Sequence, residues 1–184
     1  VGTPAMGAHE IASIRRVVMA ELPTRAIAWC RMRRDDVDAA RAAGVGMVNV
    51  SLPVSDIQLA AKLRCDRREA IALLMDVVGY ARGLGFDVAV GGEDSSRADP
   101  RFLAEVVAAA REAGARRFRV ADTLGVLDPF TTHALVACLR AATDLEIEIH
   151  AHDDLGLATA NTLAALRAGA SHASVTVVGL GERA

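Results

Sequence analysis

Arg111-Glu-Ala-Gly-Ala-Arg-Arg-Phe-Arg-Val-Ala-Asp-Thr123 holds one complete structural unit in brief. Gly114 closes the alanine-rich stretch before it, as a glycine just past a helix end does. Arg117–Ala121 then reads as a short strand, and polar Asp122 and Thr123 stand at its C-terminal end. The same unit recurs along the chain about every 30–40 residues. Strand-like runs fall at Ala26–Cys30, Gly46–Leu52, Asp87–Val90, Glu146–Ala151 and Ser174–Val178. Stretches with helical spacing fall between them, at Glu10–Glu21, Asp35–Ala43, Arg67–Leu84, Arg101–Ala113, Pro129–Ala142 and Leu155–Ala168. Asp66, Asp99-Pro100 and Asp128-Pro129 supply N-caps, two of them followed by a proline at the first helical position. Gly44, Gly85 and Gly169 repeat the stop at Gly114, and the fragments ending in Gly44, Gly114 and Gly169 are near copies of one another.

Strands that alternate with helices imply a parallel sheet with right-handed crossovers, either open and doubly wound or closed as a (β/α)8 barrel. A doubly wound nucleotide binder carries a G-x-G-x-x-G turn after its first strand, and the chain has none. Polar residues instead gather where strands end: Arg31, Ser51, Glu93, Asp122 with Thr123, His150 with His152, and the Gly179–Gly181 turn. A barrel assembles its site from many strand ends, so the fold expected is α/β, a (β/α)8 TIM barrel. Six strands are present, and Val1-Gly-Thr-Pro4 resembles the tail of a seventh. A closed barrel needs eight strands and about 250 residues. The expectation is that residues 1–184 are the central and C-terminal part of a catalytic barrel domain. They would run from the end of its second strand through the eighth, with the first strand and a C-terminal region absent.

Composition agrees with a globular domain. The chain has 184 residues, 52% of them hydrophobic, with a formal net charge of −2. Disorder is excluded, and so small a charge gives no nucleic-acid footprint. No apolar run approaches the roughly 20 residues of a membrane-spanning helix. Cys30, Cys65 and Cys138 form no C-x-x-C pair and are expected to be reduced and mostly buried, as in a cytoplasmic protein. The chain begins at Val1 with no signal-like segment, and Lys62 is its single lysine.

The segment richest in chemistry is Leu145-Glu-Ile-Glu-Ile-His-Ala-His-Asp-Asp-Leu-Gly156. Residues two apart on a strand point to one side, so His150 and His152 face together with Cα atoms about 6–7 Å apart. Two neutral imidazoles so placed can chelate one divalent cation. Asp153 and Asp154 follow, ready to accept a ring N–H of a ligand or to cap the next helix. A third ligand is required; Glu93 and Asp122 are candidates, although Glu93 could equally cap the loop Glu93–Arg97 and Asp122 could start the turn Asp122–Gly125. His9, His133 and His172 are expected at the surface. Strand parity adds one consequence. If the two histidines face inward, so do Glu146 and Glu148, and an inward Thr123 brings Arg117 and Arg119 with it, giving a buried ion-pair layer beneath the site.

His150-Ala-His-Asp-Asp-Leu-Gly-Leu-Ala-Thr-Ala-Asn161 followed by Gly179-Leu-Gly-Glu-Arg-Ala184 resembles the second signature of the homocitrate and isopropylmalate synthases. Val120-Ala-Asp-Thr-Leu-Gly125, Gly92-Glu-Asp-Ser-Ser-Arg97 and Ser51-Leu-Pro-Val-Ser-Asp56 match the same family, and the likeness runs from Val1 to Ala184. The Gly91-Gly-Glu-Asp94 turn places the chain nearest the homocitrate synthases of the nitrogen-fixation type. The resemblance implies a (β/α)8 barrel and a homodimer. The reaction it implies is the condensation of acetyl-CoA with a 2-oxo acid, 2-oxoglutarate giving homocitrate, or 2-oxoisovalerate in an isopropylmalate synthase. A retro-Claisen lyase on this scaffold, or a catalytically incomplete fragment, is the remaining reading. It implies a divalent metal (Mn, Mg or Zn) held by His150 and His152, with Glu93 and Thr123 contacting the 2-oxo acid. A further metal ligand and a catalytic arginine belong to a first-strand motif that would precede Val1. Lysine-pathway relatives carry Arg and Ser at the positions of Ala89 and Gly91, so the resemblance leaves recognition of the distal carboxylate unassigned. The catalytic base is unassigned as well.

Overall fold

In the computed structural model, which describes residues 1–177, 179–180 and 183–184, six parallel strands lie side by side in chain order. They are β1 (Ile27–Arg31), β2 (Met47–Pro53), β3 (Asp87–Glu93), β4 (Arg117–Asp122), β5 (Glu146–Ala151) and β6 (His172–Ala173). The order never reverses. A doubly wound sheet turns back at a switch point, whereas a barrel wall adds each strand beside the last. The structure is therefore a run of (β/α)8-barrel wall, not a closed ring. The Val1 ammonium donates to Ile27 O and the Trp29 amide donates to Gly2 O, so residues 1–3 run along the free side of β1 as a strand tail would.

The helices are α1 (Ala8–Met19), α2 (Arg34–Ala43), the short turn α3 (Asp56–Gln58), α4 (Arg67–Gly83), α5 (Pro100–Glu112), α6 (Pro129–Ala142) and α7 (Ala158–Arg167). One set of alternate strand residues packs beneath them: Ala28 and Cys30, Val48, Val50 and Leu52, Val88 and Val90, Phe118 and Val120, Ile147 and Ile149. All are buried with Leu74, Val78, Phe102, Val106 and Val136 of the helices in a single apolar cluster. The other set faces the barrel interior and carries the polar side chains of β2 to β5, among them Asn49, Ser51, Glu93, Arg119 and Glu148, with Met47 and Ala89 between them. Asp66 and Glu69 form the reciprocal cap of α4, and Asp99 and Asp128 accept the first amides of α5 and α6. Gly44 ends α2 in the left-handed region at φ 80°, a conformation costly to any residue with a Cβ.

Four expectations change. The sixth strand lies at His172–Ala173 and not at Ser174–Val178; the ladder extends only to Ser174, whose amide donates to Ile149 O. β5 runs on to Ala151, but the chain leaves it after Ser174, and Val175 and Val177 stand exposed. Val178 lies outside the described residues, as does Gly181 of the Gly179–Gly181 turn. The last helix starts at Ala158 because residues 153–156 form a turn, and the Asp153 carboxylate then accepts the Ala158 amide. Only Cys30 is buried; Cys65 is half-buried and Cys138 exposed, all three being free thiols. Burial, with Asp36 adding negative charge, pushes the Cys30 thiol up to about 12. His172, expected at the surface, stands on β6 with its ring half-exposed and turned against Arg117. His9 and His133 are exposed as expected. No helix among the described residues is long and apolar enough to cross a membrane.

Candidate active site

The strand ends converge on a cavity of about 470 Å³. Ser51, Glu93, Thr123, His150 and His152 line it, so five of the polar strand-end residues meet there. Arg31 and Asp122 do not. Arg31 turns aside to the buried carboxylate of Asp36, which accepts its backbone amide and two guanidinium nitrogens. Asp122 is fully buried and accepts the amides of Val126 and Leu127, so it starts the turn and is no metal ligand.

His150 and His152 aim at one point. Their Nε2 atoms are 3.1 Å apart, with the rings edge to face. His150 Nδ1 lies 3.1 Å from Ser174 O, a contact that requires the proton on Nδ1 and leaves a lone pair on Nε2. His152 Nδ1 lies 2.8 Å from Thr123 O and 3.0 Å from Arg183 Nη2. Donation to Thr123 frees the second Nε2 lone pair; acceptance from Arg183 would instead place a proton between the rings. Two nitrogens each about 2.0–2.1 Å from a shared ion lie roughly 3 Å apart, which is the spacing found. Burial lowers the pKa of His150, and the positive charge of Arg119 adds to this against the Ser174 contact, which favours the neutral ligand form. Among the described residues no third His, Cys, Asp or Glu joins the pair. Glu93 is held by Lys62 in an ion pair, and Asp154 pairs with Arg183.

The rim is tied together by a residue that sequence reasoning passed over. Asp94, wholly buried, stands at φ 63° just after β3. Its carboxylate accepts Ser55 Oγ at 2.5 Å and the Arg97 guanidinium at 2.6 Å, and its amide donates to Thr123 Oγ1 at 2.8 Å. Ser55, Asp94, Thr123 and His152 thus link the loops after β2, β3, β4 and β5. Because the Thr123 hydroxyl accepts from Asp94, its own proton is free to point into the cavity. A signal was available: a second acidic residue, directly after Glu93 where β3 ends.

Below the rim, the interior charges pair as parity requires. Arg117 donates to Glu146 and Glu148 and approaches His172 Nε2 at 2.7 Å, while Arg119 Nε donates to Glu148 at 2.5 Å. Glu148 is 4% exposed, and pairing is what lets its charge persist there.

Compared with known proteins, the whole chain, residues 1–184, matches the family model described as HMGL-like. The chain belongs to the HMGL-like family. Within it, the chain is 48% identical over 184 residues to homocitrate synthase 1 of Nostoc sp., covering all of this chain and 49% of that protein. It is 42% identical to 2-isopropylmalate synthase 2 of Caldanaerobacter subterraneus, again over the whole chain and 48% of the relative. The chain therefore spans about half the length of these curated relatives. In three dimensions it matches the crystal structure of an HMG-CoA lyase from Brucella melitensis with a TM-score of 0.80, covering 92% of this chain and 63% of that one. At 23% identity this last likeness speaks for the fold alone, a HMGL-like barrel.

Proposed function

We propose that this chain forms most of the barrel of a metal-dependent condensing enzyme that joins acetyl-CoA to a 2-oxo acid, 2-oxoglutarate yielding homocitrate. The observation that carries the reading is the convergence of the two Nε2 atoms at 3.1 Å inside a polar cavity at the strand ends. His150 and His152 would hold the divalent ion, Mn, Mg or Zn, which when bound acts as a Lewis acid toward a ketone oxygen. Ser174 O and Thr123 O fix the two rings from behind, the usual support for a metal-bound imidazole. Thr123, with its lone pair engaged by Asp94, donates its hydroxyl proton to the carboxylate beside the ketone. Glu93, its charge offset by Lys62, borders the acid from β3. The acetyl methyl carbon gives up a proton to a general base and attacks the ketone carbon, whose oxygen takes the released π pair and then a proton; water adds to the thioester carbonyl and CoA leaves as its thiol.

The relative named 2-isopropylmalate synthase 2 supports a second reading, with 2-oxoisovalerate as the acid. Acetyl-CoA consumption by the full-length protein with Mn²⁺ or Mg²⁺ decides between them. Turnover with 2-oxoglutarate is expected. Turnover with 2-oxoisovalerate alone would shift the assignment, and no turnover with either acid would overturn it.

A further inference from the structure

The floor of the cavity holds polar groups that the fold leaves unused. Asn49 sits midway along β2, an inward polar residue between Val48 and Val50, and is 2% exposed. It lines the cavity, yet neither Nδ2 nor Oδ1 has a hydrogen-bond partner. A buried amide left unpaired is costly, so something in the working protein is expected to meet it. The amide lies over the bare Cα of Gly91, where even a Cβ would come within 3.1 Å of Nδ2. Gly91 is paired in register with Arg119 on β4.

The two inward arginines differ. Arg117 is fully committed, with all three of its nitrogens bonded to Glu146, Glu148 or His172. Arg119 gives only Nε to Glu148, and its terminal nitrogens make no hydrogen bond with any described residue. Among the described residues it is also the only lysine or arginine side chain lining the cavity. Arg119 precedes Ala121, the register partner of His150, by two residues. Its Cα therefore lies about 6–7 Å deeper along the strand, the reach of a five-carbon diacid.

We propose that Arg119 and Asn49 form the subsite for the distal carboxylate of a 2-oxo dicarboxylic acid, with Gly91 bare so that the two can converge. The proposal rests on the condensing-enzyme reading above and adds its specificity. One carboxylate oxygen meets the terminal nitrogens of Arg119 and the other meets Asn49 Nδ2. An apolar acid such as 2-oxoisovalerate would leave both groups unpaired, and a site built to bond a polar group rejects the analogue that lacks it.

The test titrates 2-oxoglutarate and 2-oxopentanoate, the same chain without the distal carboxylate, into the Mn²⁺-loaded full-length protein by calorimetry. Wild type is expected to prefer 2-oxoglutarate by about 10- to 100-fold. R119Q and N49L should each remove most of that preference while leaving 2-oxopentanoate affinity nearly unchanged. N49L should also unfold at no lower urea concentration, since it deletes an unpaired buried group; a purely structural asparagine would show the reverse. Preference surviving in both variants, or equal loss for both acids, overturns the subsite. Acetyl-CoA turnover measured alongside separates the two ideas. Preference without any turnover sinks the condensation reading and keeps the subsite. Turnover of 2-oxoglutarate with preference intact in the variants sinks only the subsite.

Discussion

The two faces of the same strands have opposite properties. Toward the helices, β2 to β5 present Val, Leu, Ile and Phe side chains buried in one cluster. Toward the interior, the same strands present Asn49, Ser51, Glu93, Arg117, Arg119, Glu148, His150 and His152. The outer face holds the sheet to its helices by apolar burial. The inner face contains an unpaired amide, a half-used guanidinium and two imidazoles whose Nε2 atoms stand 3.1 Å apart. Such an arrangement adds little to stability and is suited to holding something else.

The sharpest way to break this contrast is H152A in the full-length protein. Metal content after dialysis should fall to background and turnover by about 1000-fold, with the urea midpoint barely changed; retained metal would remove His152 from the ligand set. On the outer face, F118A should do the opposite. Phe118 is fully buried, and its truncation is expected to cost about 3–5 kcal/mol in urea unfolding while bound metal persists. A loss well below that range would mean the outer face is not the cohesive one.

Much of this contrast was legible in the sequence. The periodicity of helix and strand, the caps at Asp66, Asp99 and Asp128, and the parity that puts Arg119 and Glu148 on the side of His150 all follow from local geometry. The pattern points to Ser174–Val178 because it is the more β-branched run, whereas the chain leaves β5 after Ser174, whose carbonyl meets the His150 ring. The role of Asp94 is not readable in the sequence, because its partners Ser55 and Thr123 come from loops distant along the chain. Asn49 could have been found by parity, as a polar residue two before Ser51 in an otherwise apolar run.

Two smaller effects refine the comparison where the faces meet. D94N keeps the shape but removes the charge that Ser55 and Arg97 bond, and should cost about 1–3 kcal/mol with a raised KM for the 2-oxo acid. An unchanged KM would show that the rim does not position Thr123. At the end of β1, burial works against ionising Asp36, but the hydrogen bonds and charge of Arg31 prevail and hold its carboxyl below the usual range. A depressed carboxyl stabilises fully above the unfolded value of about 3.9 and loses that contribution as pH falls through the lower folded value. D36N should therefore lower stability by about 1 kcal/mol near pH 7, and the gap from wild type should narrow below pH 4. A gap that stays constant across that range would reject the ion pair as its source.

The bonds running from Ser55 through Asp94 and Thr123 to His152 also bear on how such a protein could change. Four connections are stitched to one another, so replacing any single loop with one from a cousin would unhook its neighbours and tilt an imidazole. New substrate preferences are reached more safely from beneath, by exchanging the few side chains around Gly91, which no stitch crosses.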